Sequence, residues 1–174
     1  MSLYDFEISN KEILGKKDYR WKHFCLDINL LHRDPKSAHN LNLEWENYKF
    51  SKENSDQIPE EQGIYMFVLN IEDRIMLNGN SKYILYIGQT TNLNTRYKSY
   101  FRYVHSDEPS DFLKKCMILI WGNKLDFHYF ETNNVSNDEL NNIEFDLIDA
   151  VIPPFNIRFR CNLIKKSVKL YSPR

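Results

Sequence analysis

Two tripeptide motifs and two charged side chains on apolar helix faces are the candidate chemical groups of this sequence. Gly-Ile-Tyr stands at residues 63–65 and Tyr-Ile-Gly at residues 86–88, so each places a phenol hydroxyl in a β-rich segment. Arg96 lies at the edge of an apolar helical stripe, where a guanidinium favours an anion as partner. Glu144 lies on an apolar helix face, where a carboxylate is costly unless it is paired or binds a cation. Taken singly, the tyrosines can be core aromatics and the two charges a structural ion pair.

The two tripeptides are predicted to lie on neighbouring antiparallel strands. Residues 63–69 are apolar at every alternate position on both faces, which is typical of a central strand that is covered on both sides. Residues 83–87 have the same character, and the Asn-Gly pair at 78–79 is a strong hairpin signal between the two segments. This pairing would bring Tyr65 and Tyr86 into one site.

Two helices and a third strand are predicted next. The first helix carries an apolar stripe over residues 93–104, and Thr90 or Thr91 can cap its N-terminus. A second helix is predicted over residues 110–121, and the alternation over residues 125–131 indicates a strand.

The last predicted helix begins at a capping box and presents Glu144 to the core. Ser136 and Glu139 have the spacing of the box, and the Pro-Pro pair at 153–154 ends the helix. Its apolar face is formed by Leu140, Ile143, Leu147, Ile148 and Val151. Glu144 lies on this face because it follows the first of these residues by four and precedes Ile148 by four.

These elements predict an α+β fold. A small antiparallel sheet of three core strands is flanked by three helices, in the order β-β-α-α-β-α. Residues 1–57 have no clean periodicity and are expected to form an N-terminal extension that packs on a core domain over residues 58–160. Residues 161–174 are expected to be a basic C-terminal tail.

Charge restricts how this chain can bind nucleic acid. The 174 residues are 42% hydrophobic, enough for one domain with a proper core, and carry a formal net charge of −1. Proteins that coat nucleic acid through its phosphates are usually strongly basic, so only local patches can serve here. Two such patches are residues 16–24, where basic and aromatic side chains interleave, and residues 158–174, with six basic and no acidic side chains. Each is equally well explained as a solvated face or tail.

Cysteine usage and hydropathy favour a reduced, cytoplasmic protein. Cys25, Cys116 and Cys161 are widely spaced and include no C-x-x-C pair, which argues against a disulfide framework or a zinc ribbon. No apolar run approaches the length of a membrane span, and the first residues lack a signal-peptide pattern.

In order and spacing, the motifs resemble the GIY-YIG nuclease superfamily over roughly residues 58–160. The resemblance comprises the two tripeptides, the run at 89–101 that contains Arg96, the late Glu144, and the Pro-Phe-Asn sequence at 154–156. A lone Gly-Ile-Tyr would be a weak signal, whereas these elements in the family's order are a specific one.

The resemblance implies a metal-dependent endonuclease that hydrolyses DNA and leaves 5′-phosphate and 3′-hydroxyl ends. Glu144 would be the single protein ligand of one Mg²⁺ or Mn²⁺ ion, a cation that prefers oxygen and keeps several waters. Arg96 would hold the scissile phosphate bidentately. One of Tyr65 and Tyr86 would be the general base for the attacking water, with the other as a positioning hydrogen-bond partner. Asn156 would fix the loop behind the site or orient a water.

The choice between the two tyrosines stays open at this point, because position 89 departs from the repair-type members of the family. Those members carry a lysine just after Tyr-x-Gly, and this chain has Gln89. A phenol with a pKa of about 10 is a poor base until a nearby positive charge lowers that pKa. The metal, Arg96, Lys82 or His105 would have to supply the charge.

Six side chains near the motifs are candidate nucleic-acid contacts. They are Lys82, Gln89, Lys98, Arg102, Arg158 and Arg160. The segment 71–82 exceeds the family's usual connection by roughly the length of a β-hairpin, and it joins the residues before 58 as a candidate specificity element.

Restriction and mobile-element nucleases are the family members that this chain resembles in size. A site-specific enzyme of that kind would act as a homodimer on a palindrome in double-stranded DNA. The alternatives are a structure-selective repair or recombination nuclease, and a catalytically silent module that only binds nucleic acid.

Overall fold

The structure is a computed structural model that describes residues 44–73, 79–132, 135–162 and 164–166, with residues 71–73 and 79–81 described as backbone only. The basic and aromatic run at 16–24, Cys25, Asn78 and most of the predicted tail lie outside the described residues. Within the described part of the chain, no helix combines the length and the apolar character that crossing a membrane requires.

A four-stranded antiparallel sheet forms the centre of the α+β fold. The strands are β1 (Glu46–Lys49), β2 (Gly63–Asp73), β3 (Gly79–Thr90) and β4 (Leu125–Glu131), and they lie side by side in the order β1-β4-β2-β3. The α+β class is confirmed, and β4 has the range that the alternation predicts. The sheet has one strand more than expected because β1, from the segment interpreted as an extension, pairs with β4.

Strands β2 and β3 form one long hairpin. Their pairing extends from Gly63, opposite Thr90, to Asp73, opposite Gly79, with one register shift after Phe67. Residues 71–73 therefore lengthen β2 and residues 79–81 lengthen β3, so the extra length that the sequence analysis places at 71–82 extends this hairpin.

A β-bulge interrupts this pairing beside Tyr86. Phe67 pairs with Tyr86. The next pair is Val68 with Ile84, so Leu85 is an extra residue in β3. Bulges of this kind bend a strand and redirect its side chains, and this one lies one residue before the second tripeptide.

Among the described residues, three helices of ten or more residues cover the sheet. They are α1 (Leu93–Tyr103), α2 (Phe112–Trp121) and α3 (Asn137–Val151), with 3-10 turns at Lys52–Gln57, Pro109–Asp111 and Gly122–Lys124. The capping box of α3 is confirmed, since Ser136 Oγ accepts from Glu139 N and the Glu139 carboxylate accepts from Ser136 N.

The N-cap of α1 is Asn92, so the prediction of Thr90 or Thr91 is wrong. Asn92 has an extended backbone with φ of −151°, and its side-chain oxygen accepts from Thr95 N at 2.7 Å. Thr90 Oγ1 instead accepts from Asn92 N at 3.1 Å. The threonine thus holds the residue that caps the helix.

The sheet separates two apolar cores, as the alternation in β2 predicts. Tyr65, Phe67 and Leu69 face the core that β2 shares with α1 and α2. Ile64 and Ile87 face the second core, which contains the apolar face of α3. Tyr65 therefore enters the first core from β2, while Glu144 reaches the strands from the helix that covers the other face.

Gly63 and Gly88 have no room for a side chain. A Cβ on Gly88 would lie 2.5 Å from Tyr65 Oη and 2.6 Å from Tyr65 Cζ, and a Cβ on Gly63 would overlap the carbonyl oxygen of Phe130. Both contacts are closer than a packed interior allows. Glycine at these two motif positions is thus a packing requirement.

We expect Gly88→Ala to lower the free energy of unfolding by about 1–3 kcal/mol, because the added methyl group must displace the Tyr65 ring within a filled core. The control is Gly122→Ala, whose Cβ would meet Ile118 Cγ2 at an ordinary 3.7 Å. Urea unfolding followed by circular dichroism measures both variants. Equal stabilities of the two variants would contradict this account of Gly88.

Candidate active site

Tyr65, Tyr86, Arg96 and Glu144 meet where the β2–β3 hairpin contacts α1 and α3. The rings of the two tyrosines lie 6.2 Å apart, measured between centroids. The charges of Arg96 and Glu144 both act on the pKa of each tyrosine, and Arg96 also acts on the pKa of Glu144. The structure therefore brings four groups from four different elements within electrostatic reach of one another.

Tyr65 is the buried tyrosine of the pair. Its side chain is 2% exposed, and its hydroxyl lies 2.9 Å from that of Tyr100. Burial raises the pKa of Tyr65 well above its ordinary value and Tyr86 raises it further, while Arg96 acts in the opposite direction. The phenol is therefore protonated near neutral pH and hydrogen-bonded inside the core.

Tyr86 is the more accessible of the two. It is half-buried at the rim of the same core. Burial raises the pKa of Tyr86, the charge of Glu144 raises it further, and Tyr100 and Arg96 lower it. Neutralising the charge of Glu144 would therefore lower the pKa of this phenol.

Arg96 is half-buried and surrounded by phenol oxygens. Burial acts to lower the pKa of Arg96, but the neighbouring tyrosines outweigh it and the pKa is raised. Tyr103 is among the tyrosines that raise the pKa of Arg96. In the described part of the chain no carboxylate lies within 4.0 Å of this guanidinium. Arg96 and Glu144 thus do not form a direct ion pair, and the arginine retains N–H donors for an anion.

Glu144 is half-buried and lies in the middle of α3. Burial raises the pKa of Glu144, while the backbone N–H of Gln89 and the charges of Arg96 and Arg158 act to lower it. The described ranges hold no cluster of three or more His, Cys, Asp or Glu side chains that could bind a metal. Glu144 fits a hard cation bound through one carboxylate, with waters and substrate as the other ligands.

Tyr100 is a member of the site that the sequence analysis placed only in the apolar stripe of α1. It is fully buried and bonded to Tyr65, and its hydroxyl acts on the pKa of Tyr86. The available signal was its spacing, because Tyr100 follows Arg96 by four residues and so lies on the same helix face. Its hydroxyl has to find a partner when the ring is buried.

Asn156 is a buried clamp on the edge strand β3. Its side-chain oxygen accepts from Ile87 N at 2.9 Å, and its side-chain nitrogen donates to Ile87 O at 2.8 Å. One residue earlier, Phe155 N donates to Leu85 O at 3.0 Å. Of the two roles that the resemblance implies for Asn156, this geometry supports fixing the loop behind the site.

Two of the candidate nucleic-acid contacts border the site. Gln89 Nε2 donates to Asn141 Oδ1 at 3.2 Å, and its backbone N–H acts to lower the pKa of Glu144. Arg158 is exposed, and its charge reaches Glu144. Gln89 thus contacts the helix that carries Glu144, and Arg158 is near enough for its charge to act on the carboxylate.

The other candidates have partners away from the carboxylate or lie on exposed surface. Arg160 donates to Asn142 at 2.7 Å and to Asp146 at 3.3 Å. Lys98 lies 3.7 Å from Asp56, and the charge of Lys82 acts on His128. Arg102 is exposed in the last turn of α1. Arg160 thus holds the C-terminal segment against α3, and it has no donor engaged with the site.

We expect Asn156→Ala to lower the free energy of unfolding by about 2–4 kcal/mol, because it leaves both the N–H and the C=O of Ile87 buried without a partner. Asn54→Ala is the matched control, since Asn54 makes one exposed hydrogen bond to Lys49 O at 2.8 Å. Chemical denaturation gives both values. A loss for Asn156→Ala no larger than that for Asn54→Ala would show that the clamp has little energetic weight.

A scan against protein-family models finds no match, and a search of curated proteins finds none either. Among solved structures, the chain is similar to the GIY-YIG N-terminal endonuclease domain of UvrC from Thermotoga maritima. One point mutant of that domain, bound to its catalytic divalent cation, is 19% identical; the match covers 61% of this chain and 94% of that one, with a TM-score of 0.39. A second such mutant is 20% identical, with 62% and 100% covered and a TM-score of 0.39. The magnesium-bound form is 20% identical, with 61% and 94% covered and a TM-score of 0.39.

Proposed function

We propose that this protein is a DNA endonuclease of the GIY-YIG type, which hydrolyses phosphodiester bonds with the help of one divalent cation. The observation that carries the proposal is the meeting of Arg96 and Glu144 with the hydroxyls of Tyr65 and Tyr86. These four groups come from separate elements and converge without forming a direct ion pair. Partly buried charges that do not pair with each other are expected to find their partners in a bound ligand.

Arg96 is the group proposed to bind the scissile phosphate. Its guanidinium keeps its charge because burial is offset by the surrounding phenols. A planar guanidinium can donate two parallel hydrogen bonds to a phosphate, and the same contacts stabilise the extra negative charge of the transition state.

Glu144 is the proposed ligand of the cation. Its carboxylate is half-buried and forms no ion pair within 4.0 Å with the described residues, so acceptor positions remain for Mg²⁺ or Mn²⁺. When bound there, the cation supplies positive charge that stabilises the leaving 3′ oxygen and offsets the effect of Glu144 on the pKa of Tyr86.

Tyr86 is proposed as the general base, with Tyr65 as the positioning residue. The base must touch the attacking water, and Tyr86 is half-buried whereas Tyr65 is 2% exposed and bonded to Tyr100. The Tyr86 phenolate takes a proton from the water as its oxygen bonds to phosphorus. The bond from phosphorus to the 3′ oxygen breaks, and the leaving 3′ oxygen takes a proton from solvent water, which gives 5′-phosphate and 3′-hydroxyl ends and leaves Tyr86 as the neutral phenol.

Double-stranded DNA is the proposed substrate. Because the formal net charge is −1, the chain is not basic as a whole, and the phosphates would be bound by local charges such as Arg96 and Arg158. Restriction and mobile-element nucleases remain the proposed setting, with a homodimer where the target is a palindrome.

Plasmid cleavage with Mg²⁺ or Mn²⁺ tests the proposed activity. We expect Glu144→Ala and Arg96→Ala each to lower the rate at least about a hundredfold, because each removes a group that stabilises charge in the transition state. Asp138→Ala, which removes an exposed carboxylate of the same helix α3, serves as the control and should cut like wild type.

The nature of the products and the binding behaviour separate the alternatives. Sequencing of the ends distinguishes a site-specific enzyme, which gives discrete ends, from a structure-selective one. Tight DNA binding without cleavage under either metal would identify a silent binding module and refute the enzyme.

The pH dependence tests the choice of base. Because the phenolate is the reactive form and the pKa of Tyr86 is raised, the single-turnover rate should rise by about tenfold per pH unit as pH increases towards that pKa. Tyr86→Phe should abolish this pH dependence. Tyr65→Phe should lower the rate but retain the same pH dependence. Single-turnover cleavage rates measured from about pH 6 to about pH 8 give these slopes. The reverse pattern would assign the base to Tyr65.

A further inference from the structure

Two exposed residues, Ile157 and Arg158, project between two buried phenylalanines. Phe155 and Phe159 are 6% and 5% exposed, whereas Ile157 is 65% exposed. Arg158 is exposed as well. We call this pair the 157–158 tip.

The tip is anchored on both sides. On the N-terminal side, Asn156 makes two hydrogen bonds to Ile87, and the Phe155 ring packs edge-on against Trp121 at 5.6 Å between centroids. On the C-terminal side, the Asp149 carboxylate accepts from the backbone N–H of Arg160 at 3.0 Å and from that of Cys161 at 2.7 Å. The exposure of Ile157 is thus imposed by a fixed backbone.

The tip also borders the site. Arg158 follows Asn156 by two residues, and its charge acts on the pKa of Glu144. Ile157 directly follows Asn156, whose partner Ile87 lies between Tyr86 and Gly88. An exposed isoleucine is ordinary on a protein surface. An anchored one, next to a phosphate-binding site and beside an exposed arginine, has the composition of a nucleic-acid contact.

We propose that the 157–158 tip contacts duplex DNA beside the scissile bond. Arg158 binds a phosphate next to the one held by Arg96, and Ile157 packs against a deoxyribose and the edge of its base and partly unstacks that base step. Apolar side chains that enter the groove unstack base steps in this way. The proposal rests on the proposed function, because it needs DNA at the site, and it adds residues that neither the cation nor the water contacts.

Equilibrium binding and a base-stacking probe test the tip. The experiment uses the full chain in EDTA, with a duplex carrying 2-aminopurine next to the bond that the wild type cuts. Wild type should raise the 2-aminopurine fluorescence. Ile157→Ser should abolish the rise and weaken binding about tenfold, because it removes most of the apolar area that would be buried. Ile157→Phe should retain both signals.

Arg158→Ala should weaken binding and reduce the dependence of log Kd on log salt by about one. The matched controls are Tyr83→Ser, which removes the other exposed large hydrophobic side chain of the described residues, at 44% exposure, and Lys124→Ala. Lys124 is exposed and precedes β4 at the end of the sheet where Leu125 pairs with Leu69. Both controls should bind like wild type.

The outcomes separate failure of the tip from failure of the proposed function. If wild type cuts DNA and Ile157→Ser matches it in affinity and fluorescence, the tip is overturned and the nuclease stands. The tip is also overturned if the only effect of Ile157→Ser is a change in oligomeric state, measured by light scattering. If wild type neither binds nor cuts DNA, both proposals fail. Thermal melting of each variant, expected to match wild type because the changed side chains are exposed, confirms that loss of binding is not loss of fold.

Discussion

Tyr65 occupies the core only because Gly88, its partner across the β2–β3 pairing, has no side chain. That free space fixes where the Tyr65 hydroxyl lies, and the hydroxyl in turn meets Tyr100 on α1. Since Arg96 stands one helical turn before Tyr100, the same contact turns the guanidinium towards the two strands. The spacing between the hairpin and α1, and with it the geometry of the site, depends on one missing methyl group.

The site keeps a positive charge in a chain that is close to neutral. A carboxylate packed directly against Arg96 would cancel that charge, whereas phenols are neutral near pH 7 and still accept hydrogen bonds from a guanidinium. Tyr65, Tyr100 and Tyr103 surround Arg96 and raise the pKa of its guanidinium. The local field can then attract a phosphate although the formal net charge of the whole chain is −1. Glu144 contributes a negative charge from α3, on the opposite face of the sheet. This charge raises the pKa of Tyr86 but does not pair directly with Arg96.

Local signals predicted the elements whose cause is local. The range of β4 followed from its alternation, and the start of α3 from the reciprocal bonds of Ser136 and Glu139. Strand β1 was missed because three of its four residues are exposed, so nothing in its sequence marks a face, and its pairing with β4 is a long-range contact.

The candidate site shows the same division. Arg96 and Glu144 could be singled out because a charge on an apolar helix face is visible in the sequence. Tyr100 could not, because its ring satisfies the apolar pattern and only the folded chain reveals the partner of its hydroxyl. For the same reason Arg160 looked like a free basic residue, while the structure gives it Asn142 and Asp146 as partners.

At the outer edge of β3, the side chain of Asn156 provides one hydrogen-bond donor and one acceptor to the backbone of Ile87. A fifth strand would provide the same two groups at this position. Amide exchange at Ile87 therefore requires the segment around Asn156 to detach. That segment is also tied to α3 through Asp149. The edge of β3, the residues that follow Asn156 and the end of α3 are thus expected to open together as one cooperative unit of local unfolding, while the central pair β2 and β4 stays closed.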